Sequence, residues 1–124
     1  MAIQGASPSV PVSGAVVDET NVSRDVWRVF GNASSSGNNE VVAAQTALRV
    51  RVLWVFLMCA AAVTVKFQGG STDIAPACDI SAKDGFLLPY NPHGWFETGV
   101  GQALNLNLGG TVNVGYLVGW IPVP

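Results

Sequence analysis

Alternation of apolar and polar residues with a period of two constrains this chain more than any other feature. Ala103-Leu104-Asn105-Leu106-Asn107-Leu108 puts three leucines on one side of an extended backbone and two asparagines on the other. No helical spacing sorts those leucines from those asparagines, so the segment reads as a half-buried strand. The same rule places Leu48, Val50, Val52 and Trp54 opposite Arg49 and Arg51, and it recurs in residues 63–68 and 111–114. Residues 41–47, with their alanines and Gln45, leave helix and strand balanced. The breakers fall between these runs. Residues 31–39 form a Ser/Asn/Gly loop, residues 69–79 a Gly/Pro/Asp loop, and Leu88-Pro89-Tyr90-Asn91-Pro92-His93-Gly94 a turn whose prolines forbid a central strand. About seven or eight short strands in this arrangement predict an all-β fold, an antiparallel β-sandwich with jelly-roll topology.

At 124 residues the chain is the size of one domain. Its first part differs from the rest: Ser7-Pro8-Ser9-Val10-Pro11-Val12-Ser13-Gly14 has prolines three apart and no helical spacing. That composition favours an extended, polyproline-like arm. The expected organisation is an N-terminal arm over residues 1–23 and a sandwich over residues 24–124. Residues 52–63 form the one strongly apolar run, 12 residues long. A helix needs ~20 to cross a bilayer, so the run is protein core and no membrane is expected as a partner. Residues 1–23 lack both the basic start and the apolar stretch of a secretory signal, which points to synthesis in the cytosol. Two cysteines, Cys59 and Cys78, are too few for a disulfide scaffold. The net charge is −2 and the six basic residues are scattered, so nucleic acid is not an expected partner.

The charged fraction is 11%, against roughly 25% in an average soluble domain, while hydrophobic residues reach 49%. Something other than charge covers the outside. Alternation breaks within residues 53–62, which place Leu53, Val55 and Leu57 opposite Val52, Trp54 and Phe56. An inner strand of a two-layer sandwich has one face in the core, so the other face must meet the arm, a loop or another subunit. Another copy of the chain is the expected cover. The candidate contact residues are therefore Leu53, Val55 and Leu57, with Trp95 and Phe96 after the turn and Val10 and Val12 in the arm. A pair of aromatics such as Trp95-Phe96 serves either as a plug or subunit contact, or as a platform for stacking sugars.

Chemistry is sparse. His93 is the single histidine and sits in a Pro-His-Gly turn, and no glycine-flanked nucleophile elbow is present. No cysteine, histidine or acid spacing matches a metal site, and Gly94, Gly99 and Gly101 do not complete a dinucleotide fingerprint. The expectation is no catalytic residues, no metal and no cofactor.

Four segments together carry a resemblance. They are Val63-Thr64-Val65-Lys66-Phe67-Gln68-Gly69-Gly70-Ser71, Gly85-Phe86-Leu87-Leu88-Pro89-Tyr90-Asn91-Pro92, Gly94-Trp95-Phe96-Glu97-Thr98, and Gly101-Gln102-Ala103-Leu104-Asn105-Leu106. This layout, over about the last half of the chain, resembles small virion proteins of tailed bacteriophages of the capsid decoration (cement) type. The resemblance implies a homotrimeric β-sandwich on the capsid surface of a virion, with the major capsid protein or another virion protein as partner. A receptor- or carbohydrate-binding knob or fibre component is the close variant.

Overall fold

The structure is a computed structural model and describes residues 15–17 and 23–124. Val10 and Val12 lie outside the described residues. The strands in chain order are β1 (Ala15–Val17), β2 (Ser23–Asp25), β3 (Trp27–Ala33), β4 (Gly37–Val42), β5 (Arg49–Cys59) and β6 (Val63–Gly69). They continue with β7 (Thr72–Asp73), β8 (Cys78–Ile80), β9 (Gly85–Leu88), β10 (Phe96–Glu97), β11 (Leu104–Leu108) and β12 (Val114–Val123). The described residues contain no helix, and so no helix long and apolar enough to cross a membrane.

Every strand pair is antiparallel. One sheet runs β10-β5-β12-β3, with β9 also on β5; we call it the front sheet. The back sheet runs β4-β11-β6-β7, with β8 also on β6. From β3 to β6 the chain changes sheet at each step, and β12 closes the fold by inserting between β3 and β5. That wrapping, with the last strand beside the first strand of the two main sheets, β3, is a jelly roll. The third pairing, β1 with β2, brings residues 15–17 of the expected arm into a short ladder at the start of the sandwich.

The alternation read from sequence is what makes the core. Leu104, Leu106 and Leu108 of β11 point inward and are buried, facing Val50, Val52, Val55 and Leu57 of β5 and Val114 and Val118 of β12. Asn105 and Asn107 point outward, where the Asn105 amide donates to the Gly70 carbonyl at 2.8 Å and the Asn107 amide to Asn38 Oδ1 at 2.8 Å. Of residues 41–47 only Val41 and Val42, both buried, are strand, as the end of β4; residues 43–47 are neither helix nor strand and end in a turn.

Two expectations need correction. The loop drawn over residues 31–39 shrinks to residues 34–36, because both flanks join strands. Asn39 is the reason on the β4 side: its amide reaches the carbonyls of Ser35, Gly37 and Leu106, so a turn-forming residue ties down the short loop from within a strand. The second correction concerns Leu53, Val55 and Leu57, which all lie inside the chain's own packing with no exposed surface. The cause is a β-bulge. Gly119 of β12 pairs with Trp54 and Trp120 pairs with Val52, so Leu53 is an extra residue and the inward face changes parity there. Val52 before the bulge and Val55 and Leu57 after it therefore face the same core.

Candidate docking surfaces

The bulge decides what the front sheet shows to solvent. Beyond it, Trp54, Phe56 and Met58 point outward, the reverse of what strict alternation from Val52 would give. Phe56 then stands in direct cross-strand register with Leu117 of β12 and Leu87 of β9, and Leu117 in turn with Phe30 of β3. The result is one apolar row, Phe30-Leu117-Phe56-Leu87, across four strands. Phe30 is 81% exposed, Leu87 63% and Phe56 44%, and Met58 stands two residues along β5 on the same side. With an aromatic side chain presenting roughly 200 Å², the row and Met58 expose on the order of 500 Å² of apolar surface. That is toward the upper end of the largest patch on a typical monomer.

The other outer face has opposite chemistry. On the back sheet, Asn38 and Glu40 of β4, Asn105 and Asn107 of β11, and Thr64, Lys66 and Gln68 of β6 stand outward. Lys66 and Gln68 both bond the Asp73 carboxylate of β7, and these hydrogen bonds hold its pKa below the usual carboxylate range. Thr64 donates to Asp79 at 2.7 Å. The sandwich thus has a hydrated back, and a front that carries an apolar row flanked on β3 by the exposed Arg28 and Asn32.

Toward its other end the front face is already covered. Leu53, Ile121 and Val123 form a small buried cluster against Val26 and Trp54. Val26 directly follows β2, so the root of the N-terminal segment, not a second subunit, closes over this part of the sheet. Trp54 lies flat on Gly119, at which any Cβ would overlap the indole. Beside this cluster Arg51 donates to Glu97 Oε1 at 2.9 Å, across the β5–β10 pair. Glu97 is thereby occupied with arginine and does not join the lone histidine. His93 sits exposed in its turn, its backbone N–H donating to Asn91 Oδ1 at 3.0 Å. Among the described residues no group of three or more His, Cys, Asp or Glu could hold a metal ion.

Trp95 and Phe96 take separate roles. Phe96 turns in and packs edge-tilted on Phe67, ring centroids 5.1 Å apart, at the boundary of the core. Trp95 stays 43% exposed, with its indole N–H donating to the Pro89 carbonyl at 2.8 Å. That bond fixes a ring that lines a cavity of about 560 Å³ between the β9 and β10 edge of the front sheet and β6 to β8 of the back sheet. Phe86, Leu88 and Phe96 of the front sheet line it together with Phe67 and Cys78 of the back sheet, Trp95, Ile74 and Pro76, with Asp79 and Asp84 among its polar residues. Sequence reasoning missed both the apolar row and the cavity. Phe30 and Leu87 stand on different strands, and only the sheet order makes them parts of one row.

No family model and no curated protein matches this chain. Among solved structures, the crystal structure of PirA is similar over 79% of this chain and 92% of its own length, at 11% identity and a TM-score of 0.27. A likeness of that degree carries no argument about function.

Proposed function

We propose that this chain is a structural assembly protein of a virion, a capsid decoration protein that works as a homotrimer on the outside of a phage head. The observation that carries the assembly part is the apolar row Phe30-Leu117-Phe56-Leu87, set against a hydrated back sheet. A standard contact buries ~800 Å² per partner, so the row and its neighbours are enough for the apolar centre of one. The virion part rests on the sequence layout from Val63 to Leu106. The function is then mechanical. Copies meet through the front sheet, the polar back sheet keeps the assembly hydrated, and the shell is stabilised by mass action because the protein binds its assembled form in preference to loose subunits.

The test is the mass of the full chain by sedimentation velocity over a micromolar concentration series. The expected species has three times the 12.9 kDa of the chain. A 12.9 kDa species throughout would overturn the proposal. For the capsid role, the protein is mixed with purified heads and pelleted; co-sedimentation with heads and not with free capsid protein is expected.

A further inference from the structure

The cavity between the sheets shares no residue with the row Phe30-Leu117-Phe56-Leu87, and strand register gives its shape. Its lining runs from Gly85, which pairs with Met58 of β5, to Phe96, which pairs with Val52. From Val52 to Met58 the strand advances about 17–20 Å, the bulge at Leu53 taking up part of the rise. Spread over that length, a volume of about 560 Å³ leaves a cleft roughly 5–6 Å wide, room for one hydrocarbon chain or one ring at a time. The walls are apolar: Phe86, Leu88 and Phe96 lie along it from the front sheet, and Val65 and Phe67 from the back sheet. Trp95 is held by its bond to Pro89, so that ring is placed before anything binds.

Charge selects the occupant. Asp79 in β8 and Asp84 directly before β9 line the cleft where the chain crosses from one sheet to the other, beside Gly85. Asp79 accepts from the Thr64 hydroxyl and Asp84 from the Gly85 N–H, each through Oδ1, which leaves the second oxygen of each carboxylate for a further donor. The one cation in the lining, Lys66, is bonded to Asp73 of β7. A carboxylate head group would meet two like charges here, and an uncharged chain would gain nothing from them. An ammonium group pairs with both, and its hydrocarbon tail has the apolar walls to fill.

We infer that the cleft binds a single-chain alkylammonium amphiphile, its tail lying between the sheets along Phe67, Phe86 and Leu88 and its ammonium group at Asp79 and Asp84. Cys78 lines the cleft and is a free thiol, so its modification by a disulfide reagent reports occupancy. The full chain is titrated with hexylamine, octylamine and decylamine, each below the concentration at which it forms micelles. All three should slow the Cys78 reaction, and affinity should rise about fourfold for each added methylene. Octylamine should protect at about tenfold lower concentration than octanoate, with octanol between them. In D79N/D84N the octylamine affinity should fall to that of octanol while octanol itself is unaffected, because asparagine keeps an acceptor oxygen for Thr64 and Gly85. Phe30→Thr should bind as the parent does, since Phe30 is no part of the lining. A Cys78 rate that decylamine leaves unchanged at millimolar concentration, or protection that ignores chain length, would overturn the cleft as a binding site. Octanoate binding as tightly as octylamine would overturn the ammonium assignment, and loss of protection in Phe30→Thr would move the amphiphile to the front sheet and overturn both.

Discussion

Replacing Phe30 by threonine separates folding from assembly. Phe30 is 81% exposed, so of the roughly 200 Å² of an aromatic side chain about 160 Å² lies in water in the single subunit. Removing it opens no cavity. The loss to the fold is confined to cross-strand packing on Leu117, ~0.2–1 kcal/mol, and threonine keeps the strand preference of a β-branched residue. In an assembly that buries the ring, the same 160 Å² is worth about 4 kcal/mol at 25 cal/mol per Å². Incomplete burial lowers this to about 2–4 kcal/mol, a roughly 30- to 1000-fold weaker contact. F30T should therefore melt within a few degrees of the parent chain and sediment as a 12.9 kDa species at concentrations where the parent is larger. L57A is the converse control: Leu57 has no exposed surface, and its truncation should cost about 2–5 kcal/mol of folding free energy. An F30T protein that keeps the parent's mass distribution at every concentration would refute the assignment of the front face as the contact.

Three further outcomes follow from local geometry. G119A should destabilise the fold by about 1–3 kcal/mol and shift tryptophan emission to the red, because the added methyl displaces the Trp54 indole from the backbone it covers; chemical denaturation followed by fluorescence reads both. T98V should cost about 1–3 kcal/mol in the same assay, since the buried Thr98 hydroxyl accepts the Val50 N–H at 2.9 Å and donates to the Gly99 carbonyl, and valine leaves the Val50 donor unpaired. The two thiols should differ in access: the half-buried Cys78 reacts with a disulfide reagent in the folded protein, whereas Cys59 reacts only on unfolding, because burial, and secondarily the Asp84 charge, push its pKa up. The same shift fixes the sign of a pH effect. The folded state holds the Cys59 proton more tightly than the unfolded chain, so its contribution is intact below the ordinary thiol range and is lost as pH rises past it. Burial raises Tyr116 likewise, so denaturant midpoints should fall, not rise, on going to strongly alkaline pH.

How much of this was legible in the sequence depends on whether a feature is local. The leucines of β11 announce their burial because the period of two is a property of consecutive residues, and the fold class follows from repeating that signal. The bulge at Leu53 is not local. It arises where β12 and β5 fall out of step between Gly119 and Trp120, residues more than sixty positions away along the chain, and nothing within residues 48–57 marks it. Carrying the alternation through that point assigned Leu53, Val55 and Leu57 to an outer contact and left Phe56 inside. Beyond the inserted residue the faces exchange, Val55 and Leu57 turning inward and Trp54 and Phe56 outward, while Leu53 stays on the outer face under Val26. The correction also explains why the chain is apolar yet poorly charged. Part of the excess, Leu53, Ile121 and Val123, is covered by the root of the N-terminal segment, as one of the three covers considered for that face. Another part, Phe30, Leu117, Phe56 and Leu87, is aligned by register in a single row on the front sheet, while every outward residue of β11 opposite is an asparagine. A chain that needed only to hide surplus apolar surface would gain nothing from aligning it across four strands. Alignment matters when a flat partner has to meet all of it at once, and an antiparallel sheet face is the one surface in this fold wide enough to offer that contact.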